Sequence, residues 1–201
     1  MEIKIQPMGM TQTNCYIVTI DKKDLIIDPG IDATSWVLNN TTNPVAILNT
    51  HGHYDHVWSN AELKKKLNIP IYIHKNDAFM LEKCVLGQNP PKSKADILIE
   101  NDELLDIEGI KVQYRKFAGH TPGNSIIEIG DIWLSGDFLF QQSIGRWDFP
   151  FSSGKEMIKS LQKAMEIDED FTIYPGHGMS STLKQEQRGM SMWINYVKNN
   201  M

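Results

Sequence analysis

The stretch Thr50 to His56, T-H-G-H-Y-D-H, constrains this chain more than any other, because it places His51, His53, Asp55 and His56 within six residues. Neutral imidazole nitrogens and ionised carboxylate oxygens are ligands that divalent first-row metals take. The apolar run Val45–Leu48 before the stretch reads as a short buried strand, and Trp58 to Leu63 after it begins a helical pattern. The ligand types therefore sit on a strand-to-helix turn, where no regular period dictates the direction of each side chain. A metal site is expected there.

Three further turns carry the same chemistry: Gly119-His120-Thr121-Pro122-Gly123, Ser135-Gly136-Asp137 and Pro175-Gly176-His177-Gly178. Each follows a strand pattern, and each ligand type has glycine beside it, which permits tight backbone and close approach of the chain. Isolated histidines and aspartates cap turns and helices, but a packed core does not require this repetition at strand ends. Five of the six histidines fall in these contexts. Seven candidate ligands suffice for two metals, with an aspartate bridging. Such a pair lowers the pKa of bound water from about 16 to about 7, giving a hydroxide suited to attack on a carbonyl. No Ser-His-Asp or Cys-His arrangement is needed.

Read in order, strands are expected at Ile3–Gln6, Asn14–Ile20 and Leu25–Asp28, with Asp21-Lys22-Lys23-Asp24 as a polar turn between antiparallel neighbours. A helix over about Ala33–Asn39 precedes the strand that leads into the histidine cluster. Beyond the cluster come a helix from about Ser59 to Leu67, a strand Ile71–His74, and a helix capped by Asn76 or Asp77 that runs toward Lys83. Gly87 to Ser93 is a turn-rich loop. The second half repeats the order, with strands at Leu104–Ile107, Lys111–Phe117, Ser125–Ile129 and Ile132–Ser135, a loop over Gly145–Pro150 and a helix over Lys155–Ile167. A strand Phe171–Tyr174 and a terminal helix with its stripe at Met190, Trp193 or Ile194, and Val197 complete it. Two packed sheets with helices outside would bury this pattern.

The 201 residues fit one medium-sized domain, and no apolar run approaches the roughly 20 residues that span a bilayer. The N-terminus alternates like a strand and lacks the regions of a signal peptide, so the protein is expected to be cytoplasmic. Cys15 and Cys84 are then two reduced thiols, Cys15 packed in a strand. With a net charge of −5 and Lys64-Lys65-Lys66 as the longest basic run, neither a nucleic-acid nor a membrane partner is expected.

The spacing His51-x-His53-x-Asp55-His56, followed by His120, Asp137 and His177, resembles the signature of the metallo-β-lactamase superfamily. The resemblance covers nearly the whole chain, from Asn14-Cys15-Tyr16 and Asp28-Pro29-Gly30 through Pro175-Gly176-His177-Gly178. It implies an α/β (α+β) fold, the four-layer αββα sandwich, as one domain over residues 1–201. It also implies two divalent metal ions, with zinc favoured and iron or manganese possible. His51, His53 and His120 would hold the first, Asp55, His56 and His177 the second, and Asp137 would bridge them; Asp55 and Asp137 are the expected catalytic carboxylates. Asp28 resembles a strand-end aspartate that supports a ligand histidine, while His74 falls outside the pattern and is expected to be structural.

Within the superfamily, Thr50-His51-Gly52-His53, His120-Thr121-Pro122-Gly123 and Ser143-Ile144-Gly145-Arg146-Trp147-Asp148-Phe149-Pro150 are similar to glyoxalase II (hydroxyacylglutathione hydrolase) and its short relatives. That likeness implies hydrolysis of a small-molecule thioester such as S-lactoylglutathione. The sequence departs from it at Trp58-Ser59, where many relatives have two glycines, and at Asn124, where a histidine is common. The chain ends about two dozen residues after His177, without a separate C-terminal helical region for glutathione. An Arg146–Asp148 pair is expected to order its loop or to touch substrate. Alternatives with the same core are a persulfide dioxygenase, with one iron on His51 or His53, His120 and Asp137, and a lactonase or phosphodiesterase.

Overall fold

A computed structural model describes residues 1–201. The first half comprises β1 (Glu2–Met8), β2 (Thr13–Ile20), β3 (Lys23–Ile27), α1 (Ala33–Asn40), β4 (Pro44–Leu48), α2 (Tyr54–Val57), α3 (Asn60–Leu67), β5 (Ile71–His74) and β6 (Ile97–Ile99). In the second half come β7 (Glu103–Ile107), β8 (Ile110–Lys116), β9 (Ser125–Ile129), β10 (Ile132–Gly136), β11 (Leu139–Phe140) and β12 (Ser143–Ile144). They are followed by α4 (Gly154–Met165), β13 (Thr172–Pro175), β14 (Ser181–Thr182) and α5 (Leu183–Asn199). The strands form two six-stranded sheets, ordered β1-β2-β3-β4-β5-β6 and β14-β13-β10-β9-β8-β7, and β11 and β12 pair as a small hairpin.

Period-two alternation sorts the apolar residues into three layers. Leu25 and Ile27 of β3, with Ala46 and Leu48 of β4, face Val112, Tyr114, Ile127, Ile129 and Leu134 of the other sheet. Their neighbours Ile26 and Ile47 point the opposite way, onto Ala33, Val37 and Leu63 of the first helices. Likewise Ile126, Trp133 and Ile173 turn outward onto Met157, Leu161 and Ala164 of α4 and Met190, Ile194 and Val197 of α5. The central strands are thus apolar on both faces, and the order of layers is helix, sheet, sheet, helix. Burying each such Ile or Leu contributes about 1.5–3 kcal/mol relative to leaving it in water.

Most expected elements are present within a residue or two, and the differences have physical causes. The Asp21–Asp24 turn narrows to Asp21 and Lys22, whose φ angles of 49° and 63° suit a two-residue hairpin between β2 and β3. In place of the helix from Asn76 or Asp77 to Lys83 there is one 3₁₀ turn, Ala78–Leu81. Asp77 makes no capping bond to it, because its carboxylate accepts from Gly52, Thr121 and Gly123 instead. Ser153 does cap α4, its Oγ accepting from the Glu156 N–H at 3.3 Å. Cys15 is buried in the first helical layer and Cys84 is exposed. No helix is long and apolar enough to cross a membrane.

Candidate metal centre

Parallel pairing brings the ligand-bearing turns to one edge. β3 and β4 run parallel with Ile27 opposite Leu48, so Asp28 and the Asn49–His56 turn leave the first sheet side by side. In the second sheet β10 and β13 are parallel with Gly136 opposite Pro175, which puts Asp137 next to His177. β8 is antiparallel to β9 and β9 to β10, so β8 ends at the same edge and delivers His120 there. Cross-sheet bonds lace this edge together: the Asn14 N–H donates to the Gly176 carbonyl at 2.7 Å, and the Ser125 N–H to the Thr50 carbonyl at 2.9 Å.

All seven predicted residues converge. The ligand atoms of His51, His53 and His120 lie within 4.8 Å of one another, and so do those of Asp55, His56 and His177. Asp137 stands between the two groups: its Oδ1 is 3.4 Å from His56 Nε2, and its Oδ2 is 3.4 Å from both His120 Nε2 and His177 Nε2. Asp28, His51 and His56 also converge as a third set. The Asp28 carboxylate, however, already accepts from the Thr50 N–H at 2.8 Å, the Thr50 hydroxyl at 2.6 Å and His56 Nδ1 at 3.0 Å. With most of its acceptor sites taken by these donors, it is placed to orient His56.

Hydrogen bonds behind the rings set their tautomers. His56 Nδ1–H donates to Asp28, His120 Nδ1–H to the Arg146 carbonyl at 2.8 Å, and His177 Nδ1–H to the Thr11 carbonyl at 3.1 Å. His51 Nδ1 meets Thr50 Oγ1 at 3.1 Å, and that hydroxyl spends its own proton on Asp28. Each ring thus turns its Nε2 lone pair inward, while His53 presents Nδ1 toward His120 Nε2 at 2.8 Å. Thr13, fully buried on β2, donates to Asp55 Oδ2 at 2.7 Å and holds that carboxylate in place.

The electrostatics fit a cation. Burial, reinforced by His56, drives the His51 pKa well below the ordinary imidazole value; burial and His120 take His53 down to about 3. His120 is lowered too, chiefly by burial. These are neutral imidazoles, the form that ligates. At His56 and His177 burial also pushes down, but the carboxylates of Asp137 and Asp55 outweigh it and raise both. Asp137 is held well below the usual carboxylate range, since the neighbouring imidazoles outweigh its own burial. His51 Nε2, His56 Nε2 and Asp137 Oδ1 are buried without a hydrogen-bond partner. An unsatisfied buried polar atom costs about 1–3 kcal/mol, and a divalent ion in each group would take up these lone pairs.

Aromatic side chains stand around the histidines. The Phe149 ring meets His53 and His120 edge-on at 6.0 and 5.9 Å, and Phe140 meets His177 at 6.0 Å. Arg146 and Asp148 pair through two 2.8 Å hydrogen bonds, and the guanidinium lies 4.2 Å from the Phe149 ring centre. Phe140 and Thr13 lie in ordinary strand patterns and escaped the sequence reading; Asp77 is expected there only as a helix cap and Phe149 only as part of the Ser143–Pro150 loop, neither at the histidines. His74 stays outside the ligand groups: it is buried at the end of β5, with Nδ1 accepting from the Asn76 N–H at 3.1 Å. His74→Ala should keep the native metal content and cost about 1–3 kcal/mol of stability; elemental analysis and thermal unfolding read both. Loss of metal in that variant would contradict the assignment.

Comparison with known proteins agrees with this geometry. A profile of the metallo-beta-lactamase superfamily matches residues 8–177. The hydroxyacylglutathione hydrolase GloC of Haemophilus influenzae is 32% identical, over 94% of this chain and 96% of its own. Among solved structures, the BLEG-1 B3 metallo-beta-lactamase superposes with a TM-score of 0.85 at 32% identity, covering 93% of this chain and 97% of that one. TTHA1623, solved in a di-iron-bound form, gives 0.81 at 31% identity over 92% and 97% of the two chains. The αββα layers, the converging histidines and aspartates and this full-length similarity identify the chain as a metal-dependent hydrolase that belongs to the metallo-β-lactamase superfamily.

Proposed function

We propose that the protein is a thioesterase that hydrolyses a small-molecule thioester of the S-lactoylglutathione type at a pair of divalent metal ions. The observation that carries this reading is the position of the Asp137 carboxylate, with one oxygen 3.4 Å from His56 and the other 3.4 Å from His120 and His177, between two three-residue ligand groups. When bound, a metal pair supplies a hydroxide nucleophile at neutral pH and a Lewis acid for the acyl carbonyl.

The chain's own residues prepare that chemistry. His51, His53 and His120 form one group and Asp55, His56 and His177 the other, with Asp137 shared. Asp28, Thr50, Thr13 and the carbonyls of Arg146 and Thr11 lock the ligand orientations before substrate arrives, so little reorganisation accompanies the reaction. Phe149 and Phe140 set apolar ring edges beside His120 and His177, a surface that an acyl group entering the centre would meet. Similarity to GloC of Haemophilus influenzae supports the thioester, and the neighbour TTHA1623 with its di-iron form supports two metals. Zinc suits the nitrogen-rich set, which accepts iron or manganese as well.

The test combines metal content per chain with rates on S-lactoylglutathione, glutathione persulfide and an acyl-homoserine lactone. The expected result is close to two metals per chain and fastest hydrolysis of the thioester. One iron per chain, with oxygen consumed on the persulfide, would overturn this reading; faster lactone hydrolysis would reassign the substrate.

A further inference from the structure

Asp77 is a carboxylate with no exposed surface, and no lysine or arginine forms an ion pair with it. It accepts instead from the Gly52 N–H at 3.2 Å, the Gly123 N–H at 2.6 Å and the Thr121 hydroxyl. Gly52 is the residue between His51 and His53, and Thr121 directly follows His120. One carboxylate therefore ties together both turns that deliver the three-histidine group, and it touches neither Asp55 nor His56 nor His177.

The surrounding backbone is shaped for this contact. A Cβ on Gly52 would lie 2.6 Å from Met80 Cβ and 2.9 Å from the Asp77 carbonyl oxygen. One on Gly123 would lie 2.7 Å from Asp77 Oδ1 and 3.0 Å from its backbone nitrogen. Both turns thus close onto the Asp77–Leu81 segment to a distance that only glycine allows. Asp77 is itself fixed, its N–H donating to the His74 carbonyl and its carbonyl accepting from the Met80 N–H, each at 2.9 Å. Burial raises its carboxyl pKa to about 6 against the pull of the three donors.

We propose that Asp77 is a positioning residue for one metal only: it clamps the His51–His53 turn to the His120–Gly123 turn and so sets the bite of the three-histidine group. The proposal rests on the two-metal reading above. Two buried carboxylates then share the orienting work, with Asp28 behind His56 and, through the Thr50 hydroxyl, behind His51, and Asp77 behind the backbone of both turns of the three-histidine group. Loss of such an outer hydrogen-bonding partner typically weakens metal binding by about 10–100-fold.

Asp77→Asn keeps the shape but, whichever way the amide is turned, sets its NH₂ against the N–H of Gly52 or of Gly123, so that a donor meets a donor. Zinc titration against a chromophoric chelator should be run on Asp77→Asn, alone and combined with His177→Ala, which disables the second group. The expected result is about 10–100-fold weaker zinc binding at the three-histidine group, with the other zinc held as in the native chain. Thr121→Val removes one of the three bonds and should give a smaller loss at the same group. Native constants in a folded Asp77→Asn, or equal weakening of both ions, which general loosening of the fold would give, overturn the proposal. Should Asp77→Asn fail to fold, Thr121→Val decides alone, and native zinc affinity there overturns it. A native chain that binds fewer than two zinc ions would instead strike the two-metal reading itself.

Discussion

Asp137→Ala is expected to bind clearly fewer than two metals per chain and to lose at least about 1000-fold in thioester hydrolysis. The reason is that one carboxylate serves both groups. Its two oxygens lie 3.4 Å from His56, His120 and His177, so on the two-metal reading truncation would take a carboxylate from each group, and with it the negative charge that would keep two cations close. Electrostatic repulsion between neighbouring dications would then favour release of one of them. Bound ions would supply several kcal/mol of transition-state stabilisation, and each 1.36 kcal/mol is a factor of ten in rate. The helical and inter-sheet layers contain no part of Asp137, so circular dichroism should report a folded chain. Metal content by elemental analysis and steady-state rates under saturating zinc separate loss of metal from loss of chemistry. Native rates in this variant would refute the bridging role.

The seven converging residues were legible because they share a local property: each is a His or Asp in a short turn with glycine near it, at the end of an apolar run. The strands were legible for a related reason. Leu25, Ile26 and Ile27, or Ile126 and Ile127, are buried on both faces, so the runs stand out even where alternation does not. What escaped the sequence depends on partners far along the chain. Asp77 read as a helix cap because Asp before Ala-Phe-Met-Leu satisfies that local rule, yet its carboxylate goes to donors 25, 44 and 46 residues away. Thr13 read as a strand residue, and its role depends on Asp55, 42 residues on. The hairpin of β11 and β12 has only two residues per strand, too few for any period to register. Local pattern thus located the converging histidines and aspartates, while the residues that aim them are set by tertiary contact.

Gly176→Ala tests whether that aiming is as tight as the distances imply, and it is expected to cost about 100-fold in rate for one methyl group. A Cβ at Gly176 would fall inside the contact distance of Asp137 Oδ1 and 2.8 Å from His56 Cε1. The backbone cannot retreat, since the Gly176 N–H donates to the Gly136 carbonyl at 2.8 Å and its own carbonyl accepts from the Asn14 N–H at 2.7 Å. The methyl group must therefore displace the Asp137 carboxylate, which stands between the two groups, or the His56 ring of the second group. Overpacking of this kind costs about 1–3 kcal/mol, which thermal unfolding of the metal-free chain should show. Gly178 supplies the control from the same turn: a Cβ there meets nothing within 4 Å, but its φ of 78° disfavours alanine. Gly178→Ala should lose stability with little change in rate, because strain there presses on no ligand. If both alanines reduce the rate alike, the turn tolerates no change of any kind and crowding of Asp137 is not the cause. If neither does, the ligand edge is softer than the packing around Gly176 requires, and the preorganisation argued for this centre fails with it.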